Sequence, residues 1–235
     1  MELAKRKIPL FPLPNVVLFP KILLSLHVFE PRYKQLLSDV LDSHGLIAMP
    51  LLKAGETSVP GEEFPRVHRT VGIGRVAAYD TLPDARSNVM LVGVQRMNLV
   101  GSLSADQYFI GRFEEFEERE PGPVATESLR RALEKWLLPI IERASASIVA
   151  EADDSEGASD SAGASEKQRL QEFFGDESLG FLSDVLAHHY FEEPEVRQVV
   201  LEEADVVQRA TQVLNLLEAM DPGESPTQES EGGLC

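Results

Sequence analysis

The sequence predicts an α+β protein: a mixed β-barrel domain with one helix over residues 8–118, followed by a helical bundle over 124–220. Three observations carry this. Between residues 8 and 118, short runs of Val, Ile, Leu and Phe alternate with breaks rich in Gly and Pro, which gives about six strands and one helix. Past Pro121-Gly122-Pro123 the apolar residues recur with helical spacing and no strand pattern returns. At 235 residues and 43% hydrophobic content, the chain is long enough to bury a substantial core.

The densest apolar stretch is Ile8 to Leu41. Prolines at 9, 12, 14 and 20 fix φ and remove backbone donors there. The expected form is a short edge strand, a turn at Pro14-Asn15, and a strong strand from Val16 to Phe29 broken near Pro20. Glu30-Pro31 then opens a helix, with Pro31 suited to its first position and Glu30 near its positive end. Tyr33, Leu36, Leu37, Val40 and Leu41 follow the i, i+3, i+4, i+7, i+8 stripe of an amphipathic helix, and Gly45 can close it in the left-handed conformation. Leu46 to Leu52 reads as a buried strand with Pro50 at a bulge or edge, and Lys53 to Thr70 as a long exposed loop. Val71 to Leu82, a turn at Pro83-Asp84, and Asn88 to Leu103 follow as strands. In Val89-Met90-Leu91-Val92-Gly93-Val94 both alternating faces are apolar, so that strand is expected between packed layers. Tyr108 to Phe116 is the last strand, with Phe109, Gly111 and Phe113 on one face.

A long helix is expected from Thr126-Glu127, carrying Leu129, Leu133, Trp136, Leu137, Ile140 and Ile141 on one side and kinked at Pro139. The acidic Ser/Gly/Ala insert 151–166 has almost nothing to bury and reads as disordered, as does the tail 221–235. Phe181 to His189 forms a shorter helix. Glu193-Pro194 opens a last one whose seam runs from Val196 to Leu217.

The net charge of −17 weighs against nucleic acid, since no Lys/Arg cluster exists beyond Lys5-Arg6-Lys7. Cys235 is the single cysteine, so no internal disulfide forms, which fits a reducing compartment. Four prolines spoil the apolar run near the N-terminus as a signal peptide, and no stretch has the length of a membrane span. The expectation is a cytoplasmic protein, monomer or dimer.

Pro12-Leu13-Pro14, Leu18-Phe19-Pro20 and His27-Val28-Phe29-Glu30-Pro31-Arg32-Tyr33 resemble the opening of the Lon N-terminal domain, the substrate-recognition domain of Lon proteases. The likeness is closer to small proteins that carry this domain without the rest of the protease. Leu91-Val92-Gly93-Val94-Gln95-Arg96 resembles the family's glycine-to-arginine strand, with Met97 where an aromatic is frequent. Leu182-Ser183-Asp184-Val185-Leu186-Ala187, then Arg197-Gln198-Val199-Val200-Leu201-Glu202 and Arg209, resemble its helical segment. The resemblance spans roughly residues 8 to 220 apart from the insert. It implies a PUA-like first part, a helical second part, and a non-catalytic module that grips exposed apolar segments or degrons of client proteins. Such a module would act alone or as adaptor to a separate ATP-dependent protease or chaperone. The alternative it leaves open is binding of a small ligand or RNA through the PUA-like half.

Enzyme motifs are missing: there is no Walker A loop, no Ser–Lys peptidase segment and no nucleophile elbow, so neither catalysis nor a cofactor is expected. Gly72-Ile73-Gly74 reads as backbone crowding or a bulge. His188-His189 reads as a packing His189 beside a solvent-facing His188, not a metal site. Glu114, Glu115, Glu117 and Glu118 read as a solvated strand end. Glu30, Arg32 and Arg96 stand in apolar motifs, where an unpaired charge is costly, and an ion pair of Glu30 with Arg96 is expected to staple helix to strand. Phe11, Leu13, Phe19, Phe29 and Tyr33 are the candidate protein-binding residues. The four aromatics among them are core residues first and recognition residues second.

Overall fold

Strand length decides how the first hundred residues close. The computed structural model describes residues 3–58, 63–83, 86–104, 107–120, 126–152, 168–175 and 177–220. Its strands are β1 (Ile8–Leu10), β2 (Leu23–Val28), β3 (Leu46–Met49), β4 (Thr70–Thr81), β5 (Ser87–Ser104) and β6 (Phe109–Glu115). β5 is long enough to pair with β2 through Ser87–Val92 and with β6 through Met97–Ser104, while β4 runs along its other side. The order β2-β5-β4-β3-β1-β6, with β6 returning to β5, closes a barrel of five strands and leaves β2 outside the ring. Ile8, Leu10, Val71, Ile73, Met97 and Phe113 fill the interior.

β1 is therefore not an edge strand: it lies between β3, in parallel, and antiparallel β6. Pro9 is tolerated there because it falls at the start of the parallel ladder. The rungs to the β3 side are made by Phe11 N–H to Ala48 O (2.9 Å) and Leu13 N–H to Pro50 O (3.2 Å).

Val16 to Phe19 is not a strand either. It crosses over β4 and β5 where glycines leave room: a Cβ on Gly72 would stand 1.9 Å from Leu18 O, and one on Gly93 would stand 1.9 Å from Phe19 O. A register shift beside Gly74 accompanies the crossing, so the crowding and the bulge expected of Gly72-Ile73-Gly74 both occur. Regular pairing resumes only at Leu23, after Lys21 takes a φ of 62°.

α1 (Pro31–Leu41) has Pro31 in its first turn, and Gly45, at φ 69°, donates its N–H to Val40 O (3.0 Å). Its buried stripe of Tyr33, Leu36, Leu37 and Val40 covers Leu18, Val28, Ile47, Met49, Val89 and Leu91. The other face of β5 is not covered as its sequence suggests. Met90 and Val94 are exposed, because the first half of β5 extends with β2 and the second half of β4 beyond the ring.

The second part is helical: α2 (Glu127–Ala152), α3 (residues 168–175), α4 (Leu179–Tyr190), α5 (Pro194–Glu202) and α6 (Val206–Met220). Leu133, Leu137, Leu182, Leu186, Val206, Ala210 and Val213 share one core with Val17, Phe19 and Leu51 of the first part. The helix expected from Pro194 to Leu217 is two helices. Asp205 ends the run because its Oδ1 accepts the N–H groups of Val207 and Gln208 (3.1 Å each), a stronger local option than continuation. The break is held by Arg119, whose N–H donates to Ala204 O (2.8 Å) and whose carbonyl accepts from Val206 (3.2 Å). Most of the acidic insert, from residue 153 on, and the tail 221–235 lie outside the described residues. No helix among the described residues is long and apolar enough to cross a membrane.

Gly93→Ala sets main-chain atoms against a side chain that cannot move aside, so we expect a loss of about 3 kcal/mol or more in urea denaturation. Gly55→Ala, at a site with open space around it, supplies the comparison for strain at positive φ alone.

Candidate functional site

The strand motif ending in Arg96 sends that side chain out of the barrel and into the helices, where it is almost fully buried. Its Nε donates to Leu201 O (3.1 Å), its Nη1 to Glu118 Oε1 (3.2 Å) and its Nη2 to Asp184 Oδ1. Arg209 of α6, with no exposure at all, donates to the same two carboxylates, Glu118 Oε1 at 2.5 Å and Asp184 Oδ1 at 3.5 Å. Gly180 makes room for it, since a Cβ there would stand 3.3 Å from Arg209 Nη2. Burial pushes the Asp184 carboxyl up from the ordinary value, and the Arg96 and Arg209 charges pull it back. Two cations and two anions thus join β5, the segment after β6, α4 and α6. Two further ties run beside them: Gln198 Nε2 donates to Thr70 O (2.9 Å), and His68 lies between Glu195 (3.1 Å) and Glu202 (3.0 Å).

The expected Glu30–Arg96 pair is not formed. Glu30 binds Arg32 instead (2.8 Å), and Arg32 also donates to Ser58 Oγ (3.0 Å), which ties the start of α1 to the loop between β3 and β4. Arg96 is a charge clamp, as expected of a buried arginine, but its partners come from distant segments. Glu118 is not a solvated strand end, because both guanidinium groups converge on it. Sequence reasoning named Asp184 and Arg209 only as parts of a motif and gave neither a role. The signal available was a charge in each apolar helix stripe.

Of the candidate protein-binding residues, Phe11, Phe19 and Tyr33 are buried; Phe11 stacks on Tyr33 with centroids 3.8 Å apart. Leu13 is half-buried, and Phe29 is not core, being 59% exposed. The two histidines are reversed: His189 is exposed against Tyr190, while His188 is half-buried and its Nδ1 has no partner. Burial, aided by the Arg197 charge, holds the His188 imidazole below its ordinary value. Among the described residues no group of His, Cys, Asp and Glu has the arrangement to hold a metal ion.

Phe29 follows the open part of the sheet. There β2, β4 and β5 line a cleft of about 480 Å³ with Ser25, Leu26, His27, Tyr79, Val89 and Met90 among its walls. Tyr79 in its wall and Leu23 at the start of β2 are more than half exposed. His27 is fixed by donating Nδ1–H to Asn88 Oδ1 (2.8 Å) and accepting from Arg86 Nη1 at Nε2 (3.3 Å). Among the described residues, β2 pairs with β5 on one side and with no strand on the other. The bond from Gly93 N–H to Ile22 O (2.9 Å) sets the alternation. Leu24, Leu26 and Val28 therefore turn their backbone groups to β5, and Leu23, Ser25 and His27 turn theirs outward.

Removing one member of the charge cluster leaves the others buried and uncompensated. Asp184→Ala is expected to cost about 3–5 kcal/mol in chemical denaturation, whereas Glu30→Ala, at a partly exposed pair, costs about 1 kcal/mol or less. Equal losses would mean that the junction does not depend on the cluster.

The family model of the ATP-dependent protease La (LON) substrate-binding domain matches residues 7–219. The Lon protease of Desulfosudis oleivorans is 28% identical over 126 residues, 52% of this chain and 15% of that protein. The Lon protease of Dictyoglomus thermophilum is 27% identical over 126 residues, 54% of this chain and 16% of that protein. The match thus spans under a fifth of the length of these relatives. The same fold occurs in a Lon N-terminal domain protein from Xanthomonas campestris, with a TM-score of 0.59 at 21% identity over 89% of this chain and 98% of that one. It occurs again in the N-terminal domain of a Mycobacterium avium complex Lon protease, with a TM-score of 0.63 at 12% identity over 89% and 97%. An α+β chain with a closed barrel bolted to a helical part, matched along nearly its whole described length, belongs to the Lon substrate-binding domain family.

Proposed function

We propose that this protein is a non-catalytic recognition module that binds extended, apolar segments of unfolded or degron-bearing client proteins along β2. It would present them to a separate ATP-dependent protease or chaperone. The observation that carries the reading is the outer edge of β2, which no strand covers among the described residues, beside an apolar cleft. Outward N–H and C=O groups at Leu23, Ser25 and His27 match an added strand, which supplies affinity whatever the client's sequence. Leu23, Phe29, Tyr79 and Met90 supply the apolar contact, which selects segments that a folded protein would keep inside. A native client has neither a free strand nor exposed core side chains, so the same surface distinguishes unfolded from folded states. The family model is that of a substrate-binding domain, and an adaptor role would place that binding ahead of a separate protease or chaperone.

The test is fluorescence anisotropy of a labelled, permanently unfolded polypeptide titrated with this protein, beside the same polypeptide in native form. Saturable binding to the unfolded form alone is the expected result. Ser25→Pro removes an outward N–H without touching a bond to β5, so it should weaken that binding about tenfold with little change in Tm. Equal binding of both forms, or none, would overturn the reading.

A further inference from the structure

α6 carries more apolar surface than its core stripe uses. Val206, Ala210, Val213 and Leu217 are buried in the bundle. Leu216, Ala219 and Met220 form a second stripe at i, i+3, i+4, exposed, with Met220 at 58%. This stripe lines a groove of about 440 Å³ whose other residues are Tyr190, Phe191 and Val196 at the corner between α4 and α5, with Glu192 and Glu193 exposed beside them. The corner is set in advance. Arg197 donates Nη2 to His188 O (3.1 Å) and Nε to Phe191 O, and Tyr190 donates its hydroxyl to Trp136 O (2.9 Å). Little ordering is then required of these walls on binding.

We propose that this groove docks an amphipathic helix of a partner protein, apolar on one face and flanked by lysine or arginine. The charge argues for that occupant. The two charged residues lining the groove, Glu192 and Glu193, are both acidic, and the guanidinium of Arg197 is directed at main-chain carbonyls. A second copy of this chain, at −17, meets repulsion there. The apolar walls match the side chains at i, i+3 and i+4 of an entering helix, the usual way such a groove reads its ligand. None of the lining residues belongs to the β2 cleft, so this surface lies apart from the proposed client site and leaves both free to be used together.

The test uses the full chain and two labelled helical peptides with the same leucine stripe, one flanked by lysines and one by glutamates. By anisotropy, the lysine peptide should bind saturably and lose affinity at high salt, and the glutamate peptide should bind at least about tenfold more weakly. Met220→Asp should weaken the lysine peptide about tenfold, and Glu192→Lys with Glu193→Lys should reverse the preference. These positions are exposed, so unchanged Tm values confirm an intact fold. Ser25→Pro should leave peptide binding unaltered while it weakens unfolded-client binding, which separates failure of this proposal from failure of the client reading. Equal binding of the two peptides overturns it, as does a Met220→Asp variant that binds like the wild type. A dimer in sedimentation that Met220→Asp dissociates also overturns it, by placing a second copy in the groove.

Discussion

Four charged groups packed where water is scarce set how the barrel meets the helices, beside the apolar core the two parts share. Arg96, Asp184 and Arg209 are buried, and Glu118 reaches them from the margin. Taking such groups out of water is costly. They are tolerated only because each cation meets both anions, so the cluster is neutral as a whole and unforgiving of any loss. An apolar junction of the same area would hold as well but would permit sliding. Directional bonds from one arginine to two carboxylates and a carbonyl allow a single arrangement. The cation face of Arg96 over the Phe19 ring, 5.9 Å away, links that arrangement to the crossing segment.

That link explains why the glycine-to-arginine strand is one unit. Gly93 lets the backbone of Phe19 cross β5; two residues past Gln95's neighbour Val94, Arg96 enters the helices. Phe19 itself belongs to the core that the helices share with Val17 and Leu51. Crossing segment, strand and helix pair are thus fixed by one short stretch of β5. The other half of the same strand, from Ser87 to Val92, has no such partners above it and is left to carry β2.

Local rules made the regular parts of the fold legible. Pro31 and the stripe from Tyr33 to Val40 mark α1, and the Phe109-Gly111-Phe113 alternation marks the inward face of β6. What escaped were features set by remote segments. Pro9 suggests an edge, but ring closure places β1 between two strands, and the proline falls before the first rung it would have made. The apolar run Val16–Phe19 has strand composition, yet two glycines more than fifty residues away turn it into a crossing. Asp205, with Gln208 three residues on, has the pattern of a cap, but the apolar seam that runs past it from Val196 to Leu217 hid it. The charge partners of Arg96 were not readable at all, since periodicity says that a charge is buried and nothing about which distant carboxylate meets it.

The free edge of β2 is a hazard as well as a proposed asset, because any exposed strand invites pairing with another like it. Three properties limit that hazard here. The edge is only six residues long, it places Ser25 and His27 among its outward positions, and it belongs to a chain of net charge −17. Two copies approaching edge to edge repel each other at long range, whereas an unfolded client of low or positive charge does not. The acidity that argues against nucleic acid therefore acquires a second meaning. On the proposed reading it would keep an open strand available to others while discouraging the protein from pairing with itself, and the same sign of charge at Glu192 and Glu193 would extend this preference to the helical half.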